Sequence, residues 1–229
     1  MLIGAGIFLG GLSLTSANAE TYIAGQVGYT ISHDARGVEV IDPQFASPPL
    51  PSGTTSSNID LKNAIMYGMK IGHYFNAVPW LGVEVEGFIT TPHVLQQNVT
   101  LTIPGSGQAT VPQPGATNRL IVVSPNLVAR YRAGIFEPYV GVGPGIFLLH
   151  TAREPNSPGM PSYSQSSTSV GLNTQVGLRA YVAEHISLFG EWKYNYFHVN
   201  QAGQAAGSFF GYSASVNLHH LVFGVGYHF

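Results

Sequence analysis

The sequence predicts an all-β fold, namely an eight-stranded antiparallel up-and-down transmembrane β-barrel with short turns at one end and four long loops at the other. Eight segments alternate apolar and polar residues with a period of two, and the charges near their centres fall on the face opposite the apolar one. Short and long connections also alternate along the chain. Both patterns are typical of barrels whose outer surface faces lipid.

The composition is unusual for a soluble globular protein. Charged residues make up 9% of the 229-residue chain, against an average of about 25%, yet the mean hydropathy is only +0.15. Beyond the first 14 residues, no apolar run reaches the roughly 20 residues of a membrane-spanning helix. Low charge with moderate hydropathy favours strands that face lipid on alternate residues.

Net charge and cysteine content exclude several functions. A net charge of −2 provides no basic surface for a nucleic acid, so we expect no nucleic-acid partner. The chain has no cysteine, which excludes disulfides, thiolate chemistry and a lipid anchor on cysteine. We also expect no cofactor.

The first 19 residues have the pattern of a cleaved signal peptide. An apolar run from Leu2 to Leu14 precedes Ala17-Asn18-Ala19, which matches an A-x-A cleavage site. No Lys or Arg precedes the run, so a start upstream of Met1 is one alternative and a buried N-terminal helix is another. We therefore predict a signal peptide over 1–19 and an outer-membrane barrel domain over 20–229.

The first four predicted strands cover approximately 22–31, 61–75, 80–90 and 120–132. Their apolar faces carry, in order, Ile23, Val27 and Ile31; Ile65, Tyr67 and Ile71; Leu81, Val83 and Val85; and Ile121, Val123 and Leu127. The opposite faces carry Gln26 and Thr30; Lys62 and Lys70; Glu84 and Glu86; and Ser124, Asn126 and Arg130.

The last four predicted strands cover approximately 139–149, 168–182, 186–198 and 216–229. Their apolar faces carry Val140, Val142 and Ile146; Val170, Val176 and Leu178; Leu188, Trp192 and Tyr196; and Leu221, Phe223 and Val225. The opposite faces carry Gly141, Gly143 and Gly145; Asn173, Gln175 and Arg179; Glu191, Lys193 and Asn195; and His220, Gly224 and His228.

Eight charges on the polar faces are the strongest evidence for a lipid-facing barrel. An Arg or Lys on the lipid face near the bilayer midplane costs about 2–4 kcal/mol, whereas a charge inside the lumen can pair. The same arrangement excludes a soluble barrel, whose interior is apolar. The eight residues are Lys62, Lys70, Glu84, Glu86, Arg130, Arg179, Glu191 and Lys193.

These eight residues are predicted to form a salt-bridge network that fills the lumen. Eight strands leave an interior just wide enough for side chains, which favours a plug. The alternative is a gate in which exchange of ion pairs opens a narrow path for ions.

The connections support the same topology. Those at 76–79, 133–137 and 183–185 are short, as expected for periplasmic turns. The long external loops, approximately at 32–60, 92–118, 151–167 and 199–215, are rich in Pro, Gly, Ser, Gln and Asn. We expect them to be mobile surface segments, with a hairpin in the second because 98–103 has strand character. Aromatic residues at the strand ends, Tyr22 among them, are predicted to form interfacial girdles.

Enzymatic and metal-binding alternatives are less well supported. Glu84 and Glu86 are two residues apart on one face, but without a cleft this spacing is weak evidence for acid–base catalysis. For a lipid A-modifying enzyme, the nearest grouping is His198 with Asn195 and Asn200, and no serine and acid accompany it. The external histidines are predicted to be interfacial rather than metal ligands because they spread over several strands. They are His93, His150, His198, His219 and His220.

The C-terminal residues resemble the β-signal that the barrel assembly machinery reads. Gly224, Tyr227 and the terminal Phe229 have the expected glycine and aromatic spacing, although Val222 occupies a position that is usually polar. The resemblance implies the assembly machinery as a partner during biogenesis.

Over residues 20–229 the chain resembles the OmpA-like transmembrane barrel family of small bacterial outer-membrane proteins. The likeness is carried by Glu137-Pro138-Tyr139-Val140-Gly141-Val142-Gly143 and Leu188-Phe189-Gly190-Glu191-Trp192-Lys193-Tyr194. It implies the eight-stranded fold, the bacterial outer membrane as location, periplasmic chaperones during export, and outer-membrane lipid and lipopolysaccharide as neighbours.

The family resemblance implies less about function, because members serve as structural proteins, adhesins, evasion factors and narrow pores. We expect a structural or surface-interaction role through the external loops, directed at an external ligand or host surface. A narrow pore is the first alternative and a lipid A-modifying enzyme the second.

Overall fold

The computed structural model describes residues 20–45, 49–153, 163–202 and 211–229. The predicted signal peptide lies outside these ranges. Twelve strands form one antiparallel sheet: β1 (Glu20–Ser32), β2 (Arg36–Ile41), β3 (Thr55–Ser56), β4 (Ala64–Tyr74), β5 (Leu81–Thr90), β6 (Gln97–Ile103), β7 (Gly107–Gln113), β8 (Thr117–Arg130), β9 (Phe136–Arg153), β10 (Tyr163–Ala183), β11 (Ile186–Gln201) and β12 (Gly211–His228). A short 3₁₀ helix covers Pro43–Phe45, and no helix in the described ranges is long and apolar enough to span a membrane.

Eight of the strands form a closed, barrel-like ring. Their order is β1-β4-β5-β8-β9-β10-β11-β12, and β12 pairs back onto β1 from Tyr22–His228 to Ser32–Leu218. Short connections at 75–80, 131–135 and 184–185 lie at one end of the ring, here the turn end. The long connections lie at the other, here the loop end. The all-β antiparallel prediction is confirmed.

The sheet has four strands more than the eight that were predicted, and these additional strands lie within the first two long connections. β2 pairs with the loop-end part of β12, β3 joins β2 to β6, and β6 and β7 form a hairpin. We call β2, β3, β6 and β7 the outer sheet. The expected hairpin is therefore confirmed, and the described parts of these connections contain strands as well as the irregular segments that their composition suggested.

Along the ring strands, apolar side chains are exposed on the outside and charged side chains are buried on the inside, which is the reverse of a soluble protein. Outward-facing Ile65, Val170 and Phe223 are 65%, 71% and 68% exposed, whereas inward-facing Lys70 and Glu84 are each 1% exposed. Large apolar side chains normally fill a protein interior and charged ones normally avoid it. The ring therefore has an apolar outer surface and encloses charged side chains, as the alternation of the sequence predicts.

One interruption occurs in the ring, between β8 and β9. The pairings stop at Val123–Ile146 and resume in the same register at Leu127–Val142, so that Pro125 lies opposite Pro144. Proline has no backbone N–H, so the two hydrogen bonds of this pair cannot form. Both prolines point outward and are exposed.

A serine side chain compensates in part for the interrupted pairing. Ser124 Oγ lies 2.8 Å from the carbonyl oxygen of Pro144 and 2.8 Å from Asn126 Oδ1. Asn126 Oδ1 also accepts from Asn173 Nδ2 at 2.9 Å, so the Pro144 carbonyl is the acceptor that depends on the serine.

Replacing Ser124 with alanine is expected to lower the free energy of unfolding by about 1 kcal/mol, because the partly buried carbonyl of Pro144 loses its side-chain donor. Urea unfolding of the refolded protein in lipid vesicles measures the change. Ser106→Ala, at the exposed tip of the β6–β7 hairpin, is the matched control. Equal unfolding midpoints for the two variants would contradict the role of Ser124.

Candidate functional site: the lumen network

Ten charged side chains contact one another, nine of them inside the ring and Arg132 in the β8–β9 turn at its end; we call them the lumen network. They are Glu20, Lys70, Glu84, Glu86, Arg130, Arg132, Glu137, Arg179, Glu191 and Lys193. Five are cations and five are anions, so their formal charges cancel. A buried charge is costly unless it is paired, and this network pairs every one of its members.

The central cluster of the network comprises two lysines and three glutamates with fully buried side chains. Lys70 contacts Glu191 and lies 3.5 Å from Glu84, measured from Nζ to Oε2. Lys193 contacts Glu86 and lies 3.0 Å from Glu191 Oε2. Glu191 thus bridges the two lysines, and each lysine also holds a second carboxylate.

Neutral side chains provide the remaining hydrogen bonds of the central carboxylates. The donors and acceptors are Tyr22 Oη to Glu84 (2.5 Å), Tyr139 Oη to Glu191 (2.5 Å), Gln175 Nε2 to Glu84 (2.7 Å) and Asn173 Nδ2 to Glu86 (2.7 Å). Hydrogen bonds to ionised acceptors are stronger than those between neutral groups. These hydrogen bonds and the two lysines together fix the positions of the three carboxylates inside the ring.

A second cluster lies at the turn end, where β1 begins. Glu137 Oε1 accepts from Arg179 at 2.6 Å, and Glu137 Oε2 accepts from Arg130 at 3.1 Å. Glu20 contacts Arg130 at 2.5 Å and also Arg132. Partial burial lowers the pKa of Arg132, but the nearby carboxylates, chiefly Glu20, raise that pKa by more, so the guanidinium stays cationic.

Arg179 connects the two clusters. Its guanidinium lies 4.4 Å from the ring centroid of Tyr22 and 5.1 Å from that of Tyr139, the two tyrosines that donate to central carboxylates. The central cluster has one surplus negative charge and the turn-end cluster one surplus positive charge. Contact between them therefore compensates the charge of each.

The structure places seven of the eight predicted residues in this network: Lys70, Glu84, Glu86, Arg130, Arg179, Glu191 and Lys193. The prediction for Lys62 is wrong. Lys62 is exposed and precedes β4, which begins at Ala64. The predicted strand begins at residue 61, three residues before β4, and the alternation of inward and outward side chains does not hold before Ala64.

Sequence reasoning missed Glu20, Arg132 and Glu137 because they lie at strand ends or in a turn. Glu137 shares the parity of the inward glycines of β9, and this signal could have identified it. Tyr22 is not part of an interfacial girdle, since it is 1% exposed and bonds to Glu84 inside the ring.

The structure does not bring together the histidine and asparagine residues considered for lipid A chemistry: His198 faces outward from β11, whereas Asn195 faces inward. His198 contacts Ser213 at 2.7 Å and Ser215 at 3.4 Å on the exposed face, and no carboxylate bonds to it in the described part of the chain. His220 points inward and bonds to Thr30 and Asn195. Within the same ranges, no three His, Cys, Asp or Glu residues are grouped closely enough to hold a metal ion.

The three residues of the predicted assembly signal lie at the turn end of β12. Gly224 faces inward opposite Gln26, and a Cβ there would lie 2.2 Å from the ring of Phe189. Tyr227 and Phe229 face outward, are 47% and 71% exposed, and have ring centroids 5.1 Å apart. Their recognition during assembly stays a prediction.

Replacing Lys193 with methionine is expected to destabilise the fold by about 3–5 kcal/mol, because Glu86 loses its ion-pair partner inside the lumen. Urea unfolding in vesicles measures this effect, and adding Glu86→Gln is expected to recover part of it by removing the unpaired charge. Lys62→Met, which removes an exposed lysine, should change stability by less than about 0.5 kcal/mol. The network would lose its structural role if both lysine variants unfolded at the same urea concentration.

Comparison with known proteins agrees with this architecture. A family model described as outer membrane protein beta-barrel domain matches residues 5–229. No curated protein matches the chain. Among solved structures, Neisserial surface protein A is similar with a TM-score of 0.53 at 14% identity, covering 92% of this chain and 98% of the other.

Two further structures extend the comparison. OprG from Pseudomonas aeruginosa has a TM-score of 0.51 at 16% identity, covering 92% and 95% of the two chains. The outer membrane protease OmpT from Escherichia coli has a TM-score of 0.50 at 12% identity, covering 96% and 99%. At these identities the likeness concerns the fold alone, and it includes both a surface protein and a protease. The family model spans nearly the whole chain, so the protein belongs to the outer membrane beta-barrel domain family and is located in the bacterial outer membrane.

Proposed function

We propose that this protein is a plugged eight-stranded transmembrane barrel that acts at the cell surface through its long connections. The observation that carries the proposal is the electroneutral, buried lumen network, which crosses the interior from β1 to β11. Its function then depends on what the external connections contact, and the barrel anchors and orients them.

The pairing of the network supports a closed lumen. Conduction through this region would require breaking ion pairs whose side chains have 0% exposure, such as Lys70–Glu84 and Lys193–Glu191. A separated buried pair costs several kcal/mol because each charge is left without compensation. In addition, an eight-stranded barrel has little interior space beyond that of its own side chains.

The outer sheet supports a role at the surface. Val38, Val40, Val99 and Leu101 are each less than 5% exposed, so these connections pack an apolar face of their own. Ordered strands present a defined contact surface at a lower entropic cost than a mobile loop. Any external ligand or host surface would therefore meet a preformed structure.

The alternation of short and long connections supports an orientation in which the loop end faces outward and the turn end faces the periplasm, as in other outer-membrane barrels. This orientation also places the predicted assembly signal, Gly224, Tyr227 and Phe229, on the side where the assembly machinery and periplasmic chaperones act. Lipopolysaccharide would then surround the apolar face of the ring near the loop end.

The orientation can be tested by cysteine labelling, since the chain has no native cysteine. We expect Ser106→Cys, at the tip of the β6–β7 hairpin, to react with a membrane-impermeant maleimide on intact cells. Ala77→Cys, exposed in the β4–β5 turn, should react only after permeabilisation. The reverse pattern would contradict the proposed topology.

Planar bilayer recording tests the plug. The refolded native protein should produce no reproducible single-channel conductance under conditions in which a 16-stranded porin conducts, because the paired side chains occupy the lumen. A variant in which alanine replaces Lys70, Glu84, Glu191 and Lys193, and also the stacked Phe147 and Phe197 nearer the loop end, should conduct, which shows that the assay detects an open eight-stranded lumen. Its folding is checked by heat-modifiable migration on a gel. Unitary conductance from the native protein would overturn the plug and favour the narrow-pore alternative.

A further inference from the structure

An apolar cavity of about 50 Å³ lies at the loop end of the interior, where the ring meets the outer connections. The ring contributes Leu120, Leu149, Phe197 and Leu218 to its wall, and the connections contribute residues that include Ile59 and Val94. The lumen network lies nearer the turn end. The barrel interior is therefore divided into a charged region and an apolar one.

The two regions are separated by a layer of packed apolar side chains. Phe147 and Phe197 stack with ring centroids 4.2 Å apart and planes 10° from parallel. Met66, Phe88 and Val122 in the same part of the interior are at most 2% exposed. These apolar side chains lie between the cavity and the lumen network, so no charged side chain of the network borders the cavity.

The chemistry of the cavity wall indicates the kind of ligand that it would accept. No Lys, Arg, His, Asp or Glu is among the residues that line it. Two of its polar wall side chains are bonded to the protein itself: Asn118 Nδ2 donates to the carbonyl of Pro92 at 3.0 Å, and Thr151 Oγ1 donates to Asn118 Oδ1 at 2.9 Å. Gln201 Nε2 in turn donates to Thr151 Oγ1 at 2.9 Å. These groups have little capacity left for a polar ligand.

We propose that this cavity is a binding site for a small uncharged apolar molecule of about three to five carbon atoms. The size follows from the cavity volume, because about 10–15 Å³ in this measure corresponds to one water molecule. Water itself is disfavoured, since a buried water needs two to four polar partners and the wall groups are already engaged. An apolar ligand gains by transfer out of water and by dispersion contacts with the wall.

Methyl NMR with cyclopentane as the probe tests the proposal. The full-length protein, with labelled leucine methyl groups, is placed in lipid nanodiscs. Its methyl chemical shifts are then recorded as the concentration of the probe in the bilayer is raised. The methyl groups of Leu120, Leu149 and Leu218 should shift and saturate. Those of the outward-facing Leu127 and Leu188, which contact lipid, should change without saturation.

Matched variants localise the binding. Leu218→Trp fills the cavity and should weaken the apparent affinity at Leu120 and Leu149 at least tenfold, whereas Leu221→Trp, on the outward face of the same strand, should leave it unchanged. Ala116→Phe, which fills the cavity from the connection side, serves if the first variant does not fold. Cavity methyl groups that respond like the lipid-facing ones, or saturable shifts that persist in both filling variants, would overturn the proposal.

Discussion

Hydrocarbon offers no hydrogen bonds to a polypeptide backbone, and this constraint determines the rest of the structure. The strands satisfy one another only if the sheet closes, and the pairing of β1 with β12 provides that closure. The opposed prolines of β8 and β9 are the place where the constraint is met least well. There the Ser124 hydroxyl supplies a donor that neither proline can.

Closure of the sheet also creates an interior that must be filled. At the turn end the filling is ionic, with five acids and five bases arranged so that no charge lacks a partner. At the loop end it is apolar, with stacked aromatic rings below an uncharged cavity. The two halves carry different proposals: the ionic half is proposed to block the passage of ions, and the apolar half to hold an uncharged molecule.

The outer sheet continues the backbone hydrogen bonding of the ring beyond the ring itself. Once β12 continues past β1, its free edge pairs with β2, and the pairing passes through β3 to the β6–β7 hairpin. These strands cover the apolar end of the interior and present an ordered surface. Anchoring in the outer membrane and contact at the cell surface therefore depend on one continuous sheet.

The sequence by itself determined which residues face lipid and which face the lumen. Alternation with a period of two is a local property, and one buried face makes the register unambiguous, so Lys70, Glu84 and Glu191 could be assigned to the interior. Strand-end residues such as Glu20 and Glu137 lie where alternation fades, and only the closed ring brings them to Arg130. The outer sheet and the cavity were likewise decided by tertiary structure, because pairing between strands far apart in sequence leaves no local periodic signal.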